Sequence, residues 1–139
     1  MKITNRDIDR LTVTDSLGYL YSLKKEVPIV LKKYLYQDLM PAFRSASRDY
    51  MKLKEEIVAK YAVLDKEGNP IKKADGNYEL PEVMPAGLVS DLAELWDLGV
   101  EWPFEKFTLN IRAKIYQPLM ECLSGIDMEI LSAVIEFKS

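Results

Sequence analysis

Arg44 and Arg48 stand four residues apart in a stretch of helical pattern, so their guanidinium groups share one face one turn apart. Tyr34, Tyr36 and Tyr50 interleave with them, and the basic pairs Lys24/Lys25, Lys32/Lys33 and Lys72/Lys73 add positive charge on either side. Two forked cations beside aromatic rings suit a phosphate-bearing ligand, because guanidinium groups bind phosphate oxygens in pairs and rings stack on bases. The candidate ligand-binding residues are therefore Arg44, Arg48, Tyr34 and Tyr50. The competing reading is a solvated helix exterior with tyrosines in the core.

The chain has no histidine and one cysteine among its 139 residues. That excludes a Ser-His-Asp triad, histidine acid–base chemistry and a Cys/His zinc site, and no disulfide can form within the chain. Cys122 lies in the apolar run Leu119–Leu123 and is expected to act as a small core residue rather than a reactive thiol. Acidic neighbours occur at Asp7/Asp9, Glu55/Glu56 and Asp91/Glu94/Asp97, at positions that diverge around a helix or fall on its solvent side, and without the alternating spacing of a calcium loop. No phosphate loop or dinucleotide fingerprint is present. The expectation is a protein that is not an enzyme, with no metal and no cofactor.

Nineteen Lys and Arg against 22 Asp and Glu leave a net charge of −3, the wrong sign for a dedicated nucleic-acid binder. A hydrophobic share of 48% with 29% charged residues is that of a folded chain, and 139 residues suffice for one domain, expected over 1–139. The absence of a long apolar run or a signal-like start predicts a cytoplasmic protein without a membrane partner.

The elements that would position these side chains are mainly helical. A first helix is expected from about Arg6 to Lys25 with Asn5 as N-cap, weakened by Gly18. From Pro28 to about Ala62 the pattern is helical throughout. Tyr36, Leu39, Phe43, Ala46, Tyr50, Leu53 and Ile57 alternate spacings of three and four, the seam of a heptad. Pro41 should kink this helix on its outward side. The seam is expected either to pack on the first helix or to join chains, with Tyr36, Leu39, Phe43, Tyr50, Leu53 and Ile57 as the oligomer interface of a homo-oligomer.

Asp65-Lys66-Glu67-Gly68-Asn69-Pro70 and Asp75-Gly76-Asn77 are turn signals, and the short runs beside them predict a small antiparallel β-hairpin or meander. A helix over Ala86 to Leu98 should end at Gly99, followed by an extended segment from Phe104 to Ile111 able to pair with that hairpin. Pro118 opens a short helix, and Ser124 with Asp127 has the form of a capping box for a last helix carrying Met128, Leu131, Val134 and Ile135. No internal repeat is evident. The fold class is α+β, mainly α-helical: a long kinked helix with a helical partner, a small antiparallel β-hairpin or meander, and C-terminal helices.

MKITN at the start, a helix ending in KYAVLDKEGNPI, then DGNYEL, VEWPFEKFTL and a final AVIEF together resemble a family of small uncharacterised proteins of tailed phages and prophages, mainly of Gram-positive hosts. The likeness covers nearly the whole chain in the order of its segments and brings no catalytic residues. It implies a phage accessory protein in the cytoplasm of the bacterial host, one that binds and inhibits, or sequesters, a component of a host pathway such as antiviral defence. Its partner would be a host protein or an anionic small molecule, a nucleotide signal in particular. The alternative it implies is a tail or head chaperone, or a structural accessory protein, of virion assembly.

Overall fold

Thr4, not Asn5, caps the first helix of this computed structural model, which describes residues 1–139. The Thr4 hydroxyl accepts the Asp7 amide at 3.3 Å while the Asp7 carboxylate accepts the Thr4 amide at 3.0 Å, a reciprocal capping box. Asn5 is instead buried and its side-chain amide donates to the Leu95 carbonyl at 3.1 Å, which ties the start of the chain to a segment ninety residues on.

The expected first helix is two helices, α1 (Asn5–Thr14) and α2 (Ser16–Ser22). Asp15 separates them in a left-handed conformation at φ 50°, a region that Asp tolerates better than most residues. Gly18 makes the break possible: a Cβ there would lie 2.5 Å from the Asp15 carboxylate.

α3 (Ile29–Tyr34), a π turn (Leu35–Leu39) and α4 (Met40–Tyr61) then run together as one helix of 33 residues. Pro41 lacks an amide and its ring would strike the carbonyl four residues back in a regular helix. The π turn just before it absorbs this conflict, with the Met40 amide reaching back five residues to the Leu35 carbonyl. The expected proline kink is thus realised as a local widening of the helix upstream of Pro41.

The seam of the long helix is covered mostly within the chain. Leu31, Leu35, Leu39, Phe43 and Tyr50 are buried in one apolar core, in which α4 packs on α1 and on α5 (Ala86–Asp97). This corrects the inter-chain assignment for Leu39, Phe43 and Tyr50, and the physical reason is α5, a second covering helix whose return onto the first two the heptad pattern does not encode. Ile57 is partly buried against the same core. Tyr36 and Leu53 remain open, at 66% and 43% of their full exposure.

Four short strands complete the frame. β1 (Lys2–Thr4) pairs antiparallel with β2 (Gly99–Glu101), Ile3 opposite Val100. β3 (Phe107–Asn110) pairs in parallel with β4 (Ile135–Lys138), Leu109 opposite Phe137. The segment expected to pair with the hairpin therefore pairs with the end of the chain, and α6 (Gln117–Cys122) with α7 (Gly125–Leu131) forms the crossover that a parallel pair requires. Ser124 and Asp127 do form the capping box of α7, but the helix stops at Leu131 and Ile135 belongs to β4. Cys122 is part-buried, its thiol donating to the Pro118 carbonyl. Trp102 is buried in the same core as the helices, with Phe104 packed against it.

Residues 63–79 form the expected meander, and it contains a repeat that side-chain identity conceals. The Val63 amide donates to the Glu79 carbonyl at 2.8 Å, Glu79 to Ile71 at 2.8 Å and Ile71 to Val63 at 2.9 Å, a closed ring of three bonds between residues spaced eight apart. The turns inside it match at the same interval: Gly68 and Gly76 both have positive φ, 85° and 87°, and their amides donate to Asp65 and Lys73 respectively. Asp65 and Lys73 in turn donate to Asn69 and Asn77. Only the Gly-Asn pair is shared between the two units, because the repeat is written in backbone conformation, which demands glycine at one position and little elsewhere.

Candidate functional site

The π turn and the first turns of α4 carry the candidate site. Tyr36 projects from the π turn into solvent and stacks on Tyr21 of α2, ring centroids 6.4 Å apart and planes 22° from parallel. Tyr21, Tyr36, Gln37, Met40, Pro41 and Arg44 line an open hollow of about 420 Å³. Arg44 also borders a second hollow of about 490 Å³, shared with Phe43, Ser47 and Arg48, so the two form one surface running along the helix. Ser47 is fixed to α1 by a 3.1 Å hydrogen bond with Thr12, which holds the back of the second hollow.

Neither Arg44 nor Arg48 takes part in an ion pair; the five in the structure are Met1–Glu105, Arg6–Asp97, Arg10–Glu129, Lys60–Asp91 and Lys72–Glu55. Two unneutralised guanidinium groups one turn apart, beside stacked phenol rings, make a face able to fork onto an anion and stack on a planar group at once.

The structure brings together only part of the set that the sequence suggests. Arg44 and Arg48 share the face, but Tyr34 and Tyr50 do not reach it. Tyr34 lies against Phe107, centroids 5.0 Å apart, and edge-on to Phe104 at 5.8 Å. Its hydroxyl is buried without a hydrogen-bond partner, and burial, with the Asp38 charge adding, raises its pKa above the ordinary phenol value. Tyr50 is in the core, donating to the Asp9 carboxylate at 2.8 Å and accepting from the Trp96 indole at 2.9 Å. Burial pushes its pKa up to about 12; the Trp96 bond works against that shift and Asp9 reinforces it. Both tyrosines are thereby committed to internal packing, which the heptad position of Tyr50 already allows.

Tyr21 and Gln37 are not legible in the sequence as neighbours of this face, whereas Tyr36 is one of the rings already interleaved with the arginines there. Tyr21 meets Tyr36 across the break between α2 and α3, a contact that local sequence does not encode. The one usable signal was Pro41, whose missing amide makes the preceding turn irregular, and π turns often accompany sites of function.

Several of the paired acids are engaged elsewhere. Asp7 serves the α1 cap and Asp91 accepts the Tyr61 hydroxyl at 2.7 Å while lying 3.6 Å from Lys60. No three His, Cys, Asp or Glu side chains stand in a group able to hold a metal ion, and no helix is long and apolar enough to cross a membrane. No protein-family model, no curated protein and no solved structure matches the chain.

Proposed function

We propose that this protein is a non-enzymatic binding protein that sequesters an anionic small molecule, a nucleotide signal, on the face formed by Tyr21, Tyr36, Arg44 and Arg48. The single observation that carries this reading is the pair of unpaired arginines beside a stacked tyrosine pair in which Tyr36 is exposed and Tyr21 half-buried. Each charge-assisted hydrogen bond is worth about 1.5–3 kcal/mol and stacking on one base about 1–3 kcal/mol. Two such bonds with stacking approach the roughly 8 kcal/mol of micromolar binding. The resemblance to small phage and prophage proteins supports placing that activity in the cytoplasm of a bacterial host, as an accessory protein that withholds a signal from a host pathway such as antiviral defence.

Calorimetric titration with cyclic nucleotides and ADP-ribose tests the reading. Binding by one of them, weakened at least tenfold by Arg44→Gln and abolished in Arg44→Gln/Arg48→Gln, is the expected result. Equal binding by wild type and the double variant overturns the site, and no binding of any nucleotide overturns the ligand class. The exposed meander at the end of the 33-residue helix favours a second reading, a virion-assembly chaperone or structural accessory protein. Capture of phage structural proteins together with nucleotide indifference selects it.

A further inference from the structure

Two apolar features of the long helix are left uncovered, and they carry opposite charge. At its amino-terminal end Ile29 and Val30 are 81% and 62% exposed, and in the chain they are flanked by Lys24, Lys25 and Lys33 with Glu26 as the acid among them. None of these lysines has a carboxylate partner among the ion pairs. Towards its carboxyl-terminal end Leu53 and Ile57 of α4 face Leu98, which is 55% exposed, across a groove of about 320 Å³ between α4 and α5. The walls of that groove are acidic. Glu56 and Glu94 have no cation within ion-pair distance, Asp91 is matched by Lys60, and no other charge lines it.

We propose that two copies of this chain pair with their long helices antiparallel, the Ile29/Val30 knob of each seated in the Leu53/Ile57/Leu98 groove of the other. The occupant that fits an acidic groove with an apolar floor is an apolar knob flanked by lysines, and this chain presents one. Val30 and Leu53 are 23 residues apart along one helix, roughly 35 Å at 1.5 Å per residue, so an antiparallel pair makes the same contact twice. That is the self-complementary arrangement of a two-fold dimer, in which each patch meets its opposite on the partner and no patch is left to recruit a third copy. The contact removes four exposed aliphatic side chains per subunit from water and sets lysine against glutamate at its rim, which fixes direction as well as affinity. It leaves the Tyr36, Arg44 and Arg48 face outside the knob and groove residues, so it stands independently of the proposed ligand.

Charge reversal on the surface tests it with the intact chain. Light scattering after size-exclusion chromatography at high micromolar concentration should give twice the 16.0 kDa of the chain for wild type. Glu56→Lys/Glu94→Lys and Lys24→Glu/Lys25→Glu should each give a monomer with unchanged circular dichroism. An equimolar mixture of the two variants should restore the dimer, since the reversed groove of one matches the reversed knob of the other. A wild-type monomer, a dimer indifferent to both variants, a mixture that stays monomeric, or an assembly that keeps growing with concentration overturns the proposal.

Discussion

The Tyr50 hydroxyl donates to the Asp9 carboxylate at 2.8 Å, joining α4 to α1 across 41 residues of sequence, and the same oxygen accepts the Trp96 indole proton from α5 at 2.9 Å. One phenol oxygen thus fixes three helices at a point where the heptad seam passes under both of its covers. The exactness of that junction is what converts a generic apolar stripe into a particular packing, since a polar atom in the core is satisfied in few arrangements.

Tyr50→Phe keeps the ring and removes the oxygen, leaving the indole N–H and the Asp9 carboxylate without that partner. The expected loss is about 1–3 kcal/mol, read from urea unfolding, with the helical content of the native state unchanged.

The same residue sets an alkaline limit. Its folded pKa lies at about 12, above the ordinary 10.0, so the unfolded chain gives up the proton first. The stability this phenol contributes is complete below about pH 10 and is lost as pH rises from there through about 12. Tyr34 and Tyr61 are raised too and act in the same direction. Unfolding midpoints measured at about pH 9 and about pH 11 should fall more steeply for wild type than for Tyr50→Phe.

Gly87 sits where α5 approaches the end of the long helix, and a Cβ there would lie 2.7 Å from the Tyr61 hydroxyl and 3.0 Å from its ring. Gly87→Ala is expected to destabilise by about 1–3 kcal/mol, because Tyr61 is held in place by its bond to Asp91. Adding Tyr61→Phe should recover only part of the loss, as the ring atoms remain in the way. Thermal melts of the two variants measure the difference.

Gly68 and Gly76 occupy equivalent left-handed positions of the meander, so Gly68→Ala and Gly76→Ala should each cost about 1–2 kcal/mol locally. Hydrogen exchange should quicken at the Ile71 and Glu79 amides, which belong to the closed ring, and stay unchanged at Leu35 in the core.

The sequence by itself determined the helices whose signals are local. The turn glycines at 68 and 76, the Ser124/Asp127 cap, the span of α5 and the long helix from Ile29 onward all follow from side chains acting on their own or adjacent backbone. Arg44 and Arg48 sharing a face is of the same kind, fixed by helical period alone. Tertiary structure decided what those faces meet. Whether Tyr50 stacks on a ligand or bonds Asp9, whether Tyr36 faces a neighbour or solvent, and that β3 finds β4 rather than the meander depend on contacts between residues far apart in the chain. Periodicity says that a stripe must be buried and is silent on which element buries it, because the same stripe is satisfied by any apolar surface of matching shape. Asp15 shows the two levels together: Gly18 opens the space for a break, yet only tertiary packing, in which α2 lies on α7, gives the break a direction, and with it the Tyr21–Tyr36 stack.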